Sequence, residues 1–310
     1  RSPQGYSSAA SDVYKRQMNM NSIKKMMLSG ALGCLISGMA YADGSSPQPV
    51  KPYWQDIQVV AVNKEKPRSS FMSYADRETA LTSRFEKSPY YSLLNGTWKF
   101  FFVDSYKDLP QNITDPSVNT SSWDDITVPG NWEVQGHGVA IYTNHGYEFK
   151  PRNPQPPLLP EANPVGVYRR DIEIPANWDN RDIYLHIGGA KSGLYVYLNG
   201  KEVGYSEDSK NPAEFLINKY LQPGKNVLTL KIFRWSTGSY LECQDFWRMS
   251  GIERDVFLWS QPKASIQDFR VVSTLDDTYT NGIFKLAVDL KNHTQETKNL
   301  NVGYLSLIHI

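Results

Sequence analysis

The chain has 310 residues, of which 13% are aromatic and 21% charged, with a formal net charge of +1. That length holds two domains of ordinary size, and the aromatic-rich, sparsely charged composition favours a β-rich globular protein and excludes a disordered one. A charge this close to neutral gives no electrostatic basis for binding nucleic acid or an anionic membrane.

Residues 1–17 precede the first methionine, Met18, show no apolar period and are expected to be a non-native leader outside the fold. From Met18 the order is a basic pair, Lys24 and Lys25, then an apolar run over 26–39, then Ala40-Tyr41-Ala42 before Asp43. This is the pattern of a secretory signal peptide over 18–42, which places the protein in the periplasm or outside the cell. The run is too short for a membrane span. Cys34 lies inside it without a leucine three residues earlier, so lipidation is not expected. Cleavage after Ala42 leaves Cys243 as the only cysteine. No intrachain disulfide then forms, and no local signature of a cysteine enzyme surrounds Cys243.

Residues 43–92 read as a linker and an extended leading segment. The stretch 43–50 is polar and proline-bearing, 53–76 has little period of its own, and only 76–85 carries a helical one. From Leu93 onward strand follows strand. Polar and aromatic residues alternate over 96–103, and 167–174 and 181–187 alternate as well. The run 193–198 leads into Asn199-Gly200, the strongest short hairpin signal, followed by 201–205. A turn at 221–226 precedes a strand pattern at 227–235. Short strands at steady spacing indicate a two-sheet β-sandwich over 93–262. Within it, 128–133 (VPGNWE) reads as a turn with Trp132 buried, and the proline run at 151–164 as a stiff irregular loop. After a break at 262–268, strands at 269–274 and 283–290 flank a turn at 276–281. The apolar ending at 305–310 has neither turn nor cap, so the C-terminal domain is expected to be truncated.

His137, His145, His186, His293 and His309 have no metal-binding spacing, and no zinc site is expected. His186 lies in a strand pattern and reads as structural. His137 and His145 lie in loops close to Asn144, where either could border a pocket.

The stretch 234–256, RWSTGSYLECQDFWRMSGIERDV, sets Trp235, Tyr240, Phe246 and Trp247 among Glu242, Asp245, Arg248, Glu253, Arg254 and Asp255. Two readings follow from the residues alone. Flat apolar faces and carboxylates suit a sugar's C–H surface and its hydroxyls. Alternatively Arg248, Arg254, Glu242 and Asp255 pin the loop, Asp255 against an arginine, and the aromatics belong to the core. Glu242 and Asp245 lie three apart on one loop and cannot flank a scissile bond from opposite sides, so they are not an acid–nucleophile pair.

The wording of that stretch closely resembles the N-terminal signature of the β-galactosidases of glycoside hydrolase family 2. The matching words are Arg-Trp-Ser, Gly-Ser-Tyr-Leu-Glu, Gln-Asp, Trp-Arg, Ser-Gly-Ile and Arg-Asp-Val. VPGNWE at 128–133, and Ile141-Tyr-Thr-Asn144 with the proline run and Gly166-Val-Tyr168, resemble further family segments. The resemblance implies an all-β chain with a jelly-roll sugar-binding β-sandwich over 93–262. The incomplete start of an immunoglobulin-like β-sandwich would then occupy 263–310. It implies retaining hydrolysis of terminal β-galactosides by two glutamates of a (β/α)₈ barrel that this chain lacks. No catalytic residue is therefore expected here, and the chain alone is expected to be inactive. In the family, the asparagine at the place of Asn144 contacts the galactosyl ring. The aspartate at the place of Asp245 contacts the galactosyl 6-hydroxyl and a sodium ion, and magnesium is expected only in the missing catalytic domain. The implied partner is a β-galactoside, and the full-length form is compatible with a homo-oligomer. A stand-alone carbohydrate-binding module, or a fragment of a related β-glucuronidase or β-mannosidase, are the alternative readings.

Overall fold

A computed structural model describes residues 51–149 and 153–305. The expected leader at 1–17, the expected signal peptide at 18–42, the linker stretch at 43–50 and the ending at 306–310 lie outside the described residues. The expected strands form where the alternation places them. Gly96–Val103, Arg181–Ile187 and Gly193–Leu198 match to the residue, and Val165–Glu173, Lys201–Ser206 and Lys225–Phe233 match within two. Asn199 and Gly200 both take positive φ (53° and 77°), the backbone of a tight two-residue hairpin turn.

The strands build two antiparallel sheets. The larger runs Ala61–Val62, Lys201–Ser206, Gly193–Leu198, Lys225–Phe233, Val165–Glu173, Gly96–Val103, Asp124–Val128 in space. The smaller runs Ala213–Leu216, Arg181–Ile187, Val256–Pro262, Tyr91–Leu93. The last of these crosses the expected boundary between the leading segment and the sandwich. Between the sheets lies one core, in which Phe100, Tyr168, Val196, Leu230 and Ile232 meet Leu185, Ile187, Phe215 and Leu258. Alternation sends Phe101, Val165 and Val167 to the opposite face of the larger sheet, where Trp54, Ile113 and Trp123 cover them. The leading segment therefore serves as cover. Trp54 is fully buried, and Met72 packs on Tyr184, Phe257 and Trp259 outside the smaller sheet. The expected helix is short, Arg77–Leu81: Asp76 caps its first turn by accepting from the Thr79 amide at 2.8 Å, and the helix ends ahead of Ser83, which takes a positive φ of 54°.

Strands Ala264–Leu275 and Gly282–Asn292 form a hairpin outside both sheets. They are what the described residues contain of the region where an immunoglobulin-like sandwich is expected to begin. The hairpin is fastened to the sandwich at Asp182, which takes His293 Nδ1 at 2.7 Å and Lys291 Nζ at 3.5 Å. Among the described residues no helix is long and apolar enough to cross a membrane.

Candidate substrate-contact site

The loops that matter are tied together by two small ribbons. In the first, Gly251–Ile252 pairs with Gly130–Asn131 on one side and Ala190–Lys191 on the other. Gly251 holds φ +119°, and a Cβ there would stand 2.6 Å from the Gly130 carbonyl oxygen, so only glycine closes this ribbon. In the second, Phe246–Arg248 pairs with Ile141–Thr143, with Trp247 opposite Tyr142 and Phe246 opposite Thr143. Asn144 and Asp245 are the residues next to the last of these pairs, Thr143 and Phe246, at the same end of the ribbon. The ribbon thus joins two segments that are 103 positions apart at Tyr142 and Asp245.

Both are exposed, as are Tyr142 at 56% and Trp247 at 52%. The Tyr142 hydroxyl donates to Asp245 Oδ1 at 2.9 Å, and this bond to a carboxylate pushes the tyrosine pKa up. Tyr142 and Trp247 meet edge to face at 5.7 Å between centroids. Asn144 Oδ1 lies 2.7 Å from His145 Nδ1, so His145 does border the site. His137 instead packs its ring on Phe100 and Phe102. The result is a polar pair beside an apolar platform. It can accept hydrogen bonds from hydroxyls and cover a C–H face, but it offers no acid–base pair.

Other residues of the loop are structural. Glu242 accepts from the Ser209 amide at 2.7 Å and its hydroxyl at 2.6 Å. Cys243 is half-buried, bonds its Sγ to the Ser239 carbonyl at 3.2 Å, and has its pKa raised by burial, the reverse of a nucleophile's environment. His186 pairs with Glu214 at 2.8 Å in the smaller sheet, as its strand position suggests. Asp255 departs from expectation: its partner is Asn95, whose Nδ2 donates at 2.8 Å, and not an arginine. The departure arises because the exposed Arg254 lays its stem along Gly188 and Gly189.

The same loops bury five charged side chains that the sequence reading either missed or took only as pins. Glu133, Glu148, Lys191, Arg234 and Arg248 are each at most 6% exposed. Glu133 accepts from the Ser250 amide at 3.0 Å and faces Arg234 at 3.5 Å; burial still raises its pKa. Glu148 accepts from Trp235 Nε1 at 3.0 Å and faces Lys191 at 3.6 Å and Arg248 Nε at 3.9 Å. Burial lowers the pKa of Lys191, with Glu148 opposing that shift. Arg248 Nη1 donates to the Glu242 carbonyl at 3.0 Å, and Arg234 Nη2 to the Arg248 carbonyl at 3.1 Å. The signal for Arg234 and Arg248 was present in the loop itself. Glu133, Glu148 and Lys191 stand in separate loops and carry no local pattern.

The architecture is an all-β sandwich with exposed polar and aromatic residues gathered on a two-stranded ribbon of its loops. The family described as "Glycosyl hydrolases family 2, sugar binding domain" matches residues 91–262, more than half of the chain. The chain belongs to glycosyl hydrolase family 2. It is similar to a β-galactosidase of Priestia megaterium, 40% identical over 253 residues that cover 80% of this chain and 24% of the relative. A β-galactosidase of Oenococcus oeni is 42% identical over 185 residues, 59% of this chain and 18% of the relative. The chain thus spans about a quarter or less of these relatives' length. Among solved structures, a calcium-binding mutant of a Bacteroides uniformis β-glucuronidase covers 66% of this chain and 23% of its own. Its TM-score is 0.51 at 20% identity, a likeness of fold alone.

Proposed function

We propose that this chain is the N-terminal, non-catalytic portion of an exported β-galactosidase. On this reading the full enzyme hydrolyses terminal non-reducing β-D-galactosides with retention, using two glutamates of a barrel that these residues do not include. Asn144 and Asp245 supply contacts to the galactosyl unit, and the chain by itself turns over no galactoside. The observation that carries the reading is the placement of the two exposed polar residues at the same end of one ribbon, beside Tyr142 and Trp247, in a chain whose relatives are β-galactosidases.

Asp245 suits a sodium ion as one ligand among several. It is exposed, and Tyr142 engages only Oδ1. Among the described residues no group of three His, Cys, Asp or Glu could hold a metal, so the remaining oxygens of a sodium shell would come from other groups. Magnesium, on this reading, belongs to the catalytic domain, and any homo-oligomer to the full-length form. Export is tested by N-terminal sequencing of the secreted protein, expected to begin at Asp43; a mature chain starting near Met18 overturns it.

The site itself is tested by Asp245→Asn in the full-length enzyme. The amide oxygen can still accept from Tyr142, so the change removes charge and leaves the local geometry. A buried hydroxyl that loses its partner costs about 1–3 kcal/mol, or about 5- to 150-fold in kcat/KM. Sodium dependence is expected to weaken in parallel, and a 6-deoxygalactoside to be spared the direct loss. A variant that melts earlier but keeps both kcat/KM and the sodium response would make Asp245 structural.

A further inference from the structure

We propose that Glu148 is a positioning residue that sets the separation of Asn144 and Asp245, by holding the three chain segments around them in register. The proposal rests on the reading of those two residues as substrate contacts. Glu148 lies four residues after Asn144 on the same loop. Tyr147 and Phe149, which flank it, pack on Tyr240 and Trp235, at 4.8 Å for Tyr147 on Tyr240 and 5.4 Å for Phe149 on Trp235. These contacts point the Glu148 carboxylate inward, where its side chain is 3% exposed.

Each group it meets belongs to a different piece of the site. Trp235, bonded at 3.0 Å, stands where the strand Lys225–Phe233 gives way to the long loop. Lys191, at 3.6 Å, belongs to the ribbon closed by Gly251. Arg248, at 3.9 Å, is three residues beyond Asp245 on the strand that pairs with Ile141–Thr143. Arg248 in turn grips the Glu242 carbonyl at 3.0 Å, so both flanks of Asp245 answer to one guanidinium. Glu148 is the carboxylate that faces that guanidinium. Without it, Arg248 would be buried with no ion-pair partner and Lys191 would keep only the more distant charge of Glu133, so the ribbon would have to shift to let them reach solvent.

The Glu148 contacts to its cations are longer than direct hydrogen bonds, and Arg248 Nε and Nη2 make no hydrogen bond among the described residues. A joint held by charge at this range fixes position through field and packing more than through one bond. Neutralising the carboxylate at constant shape is therefore the informative change.

The experiment compares Glu148→Gln, Glu148→Asp and Asp245→Asn in the full-length enzyme, per folded molecule and well below the melting temperature. Glu148→Gln keeps an acceptor for Trp235 and removes the charge. It is expected to raise KM and the sodium concentration for half-activation by about tenfold or more, since small misplacements of a binding group carry such penalties, while kcat falls less. Glu148→Asp, which keeps the charge, should recover part of both. Should the single variant fail to fold, Glu148→Gln with Lys191→Met removes one buried cation with the carboxylate and carries the same test. A Glu148→Gln enzyme with a lowered melting point but wild-type KM and sodium response overturns the positioning role. If Asp245→Asn also leaves KM and sodium response unchanged, the fault lies with the substrate-contact reading. If only Asp245→Asn moves them, the fault lies with Glu148 alone.

Discussion

Two buried glutamates, Glu214 on the outer face of the smaller sheet and Glu148 among the site loops, have similar burial and very different surroundings. Glu214 takes both arms of Arg68 at 2.9 and 2.8 Å, His186 Nδ1 at 2.8 Å and Trp259 Nε1 at 3.1 Å. The Arg68 guanidinium lies over Trp259 at 4.3 Å and over Phe71 at 4.6 Å. Every partner is at hydrogen-bond distance, and the leading segment is joined to the sandwich there. Glu148 has one short bond, two longer ion pairs, and beside it an arginine with two nitrogens that make no hydrogen bond among the described residues. A saturated network is a joint whose own geometry is its purpose. The looser one sits where several loops converge on the candidate site, and functional sites are where proteins depart from full satisfaction of buried polar groups.

The largest effect is therefore expected at Glu214. Replacing it with glutamine leaves Arg68 buried without its charge partner, a change that costs about 3–5 kcal/mol in comparable buried pairs. Burial by itself would raise the Glu214 pKa, but the hydrogen bond from His186 and the Arg68 charge outweigh it and hold the carboxyl below its usual value. A carboxylate depressed in the folded state adds stability that is fully present above its unfolded pKa of about 4.3 and is lost as pH falls through the folded value. Thermal unfolding from pH 7 to pH 3 should show the gap between wild type and Glu214→Gln narrowing as the pH falls below that point. A gap that stays constant, or a larger loss from Glu148→Gln than from Glu214→Gln at pH 7, would break the distinction between the two networks.

How much of this was legible in the sequence follows the range of the interactions. Asn199-Gly200 and the alternation at 96–103, 181–187 and 193–198 are local signals, and those strands appear at the expected residues. That both faces of the larger sheet are buried was not legible, since Phe101 and Val167 meet Trp54 and Trp123 only after distant segments fold over them. Asn144 and Asp245 stand out through their resemblance to family motifs, and only the pairing of Ile141–Thr143 with Phe246–Arg248 puts them at the same end of one ribbon. Glu148 was invisible for the same reason: its partners Lys191, Trp235 and Arg248 lie 43, 87 and 100 positions away.

The smallest effect is expected at Asp255, which sharpens the comparison by showing a carboxylate that is neither kind of joint. It is exposed, and its side chain accepts from Asn95 Nδ2 at 2.8 Å. The structural contact runs through the other end of that amide: Asn95 Oδ1 accepts from the Val256 amide at 3.0 Å, at the first residue of the strand Val256–Pro262. Asp255→Asn leaves an oxygen that can accept from Asn95, so stability should move by no more than about 0.5 kcal/mol, as for most surface substitutions. Asn95→Ala removes both contacts and deprives the strand's first amide of its acceptor, so it should cost about 1 kcal/mol or more. Denaturant unfolding of the two variants decides the matter. An Asp255→Asn loss equal to or above that of Asn95→Ala would mean that the charge itself holds the loop, as an arginine partner would have required.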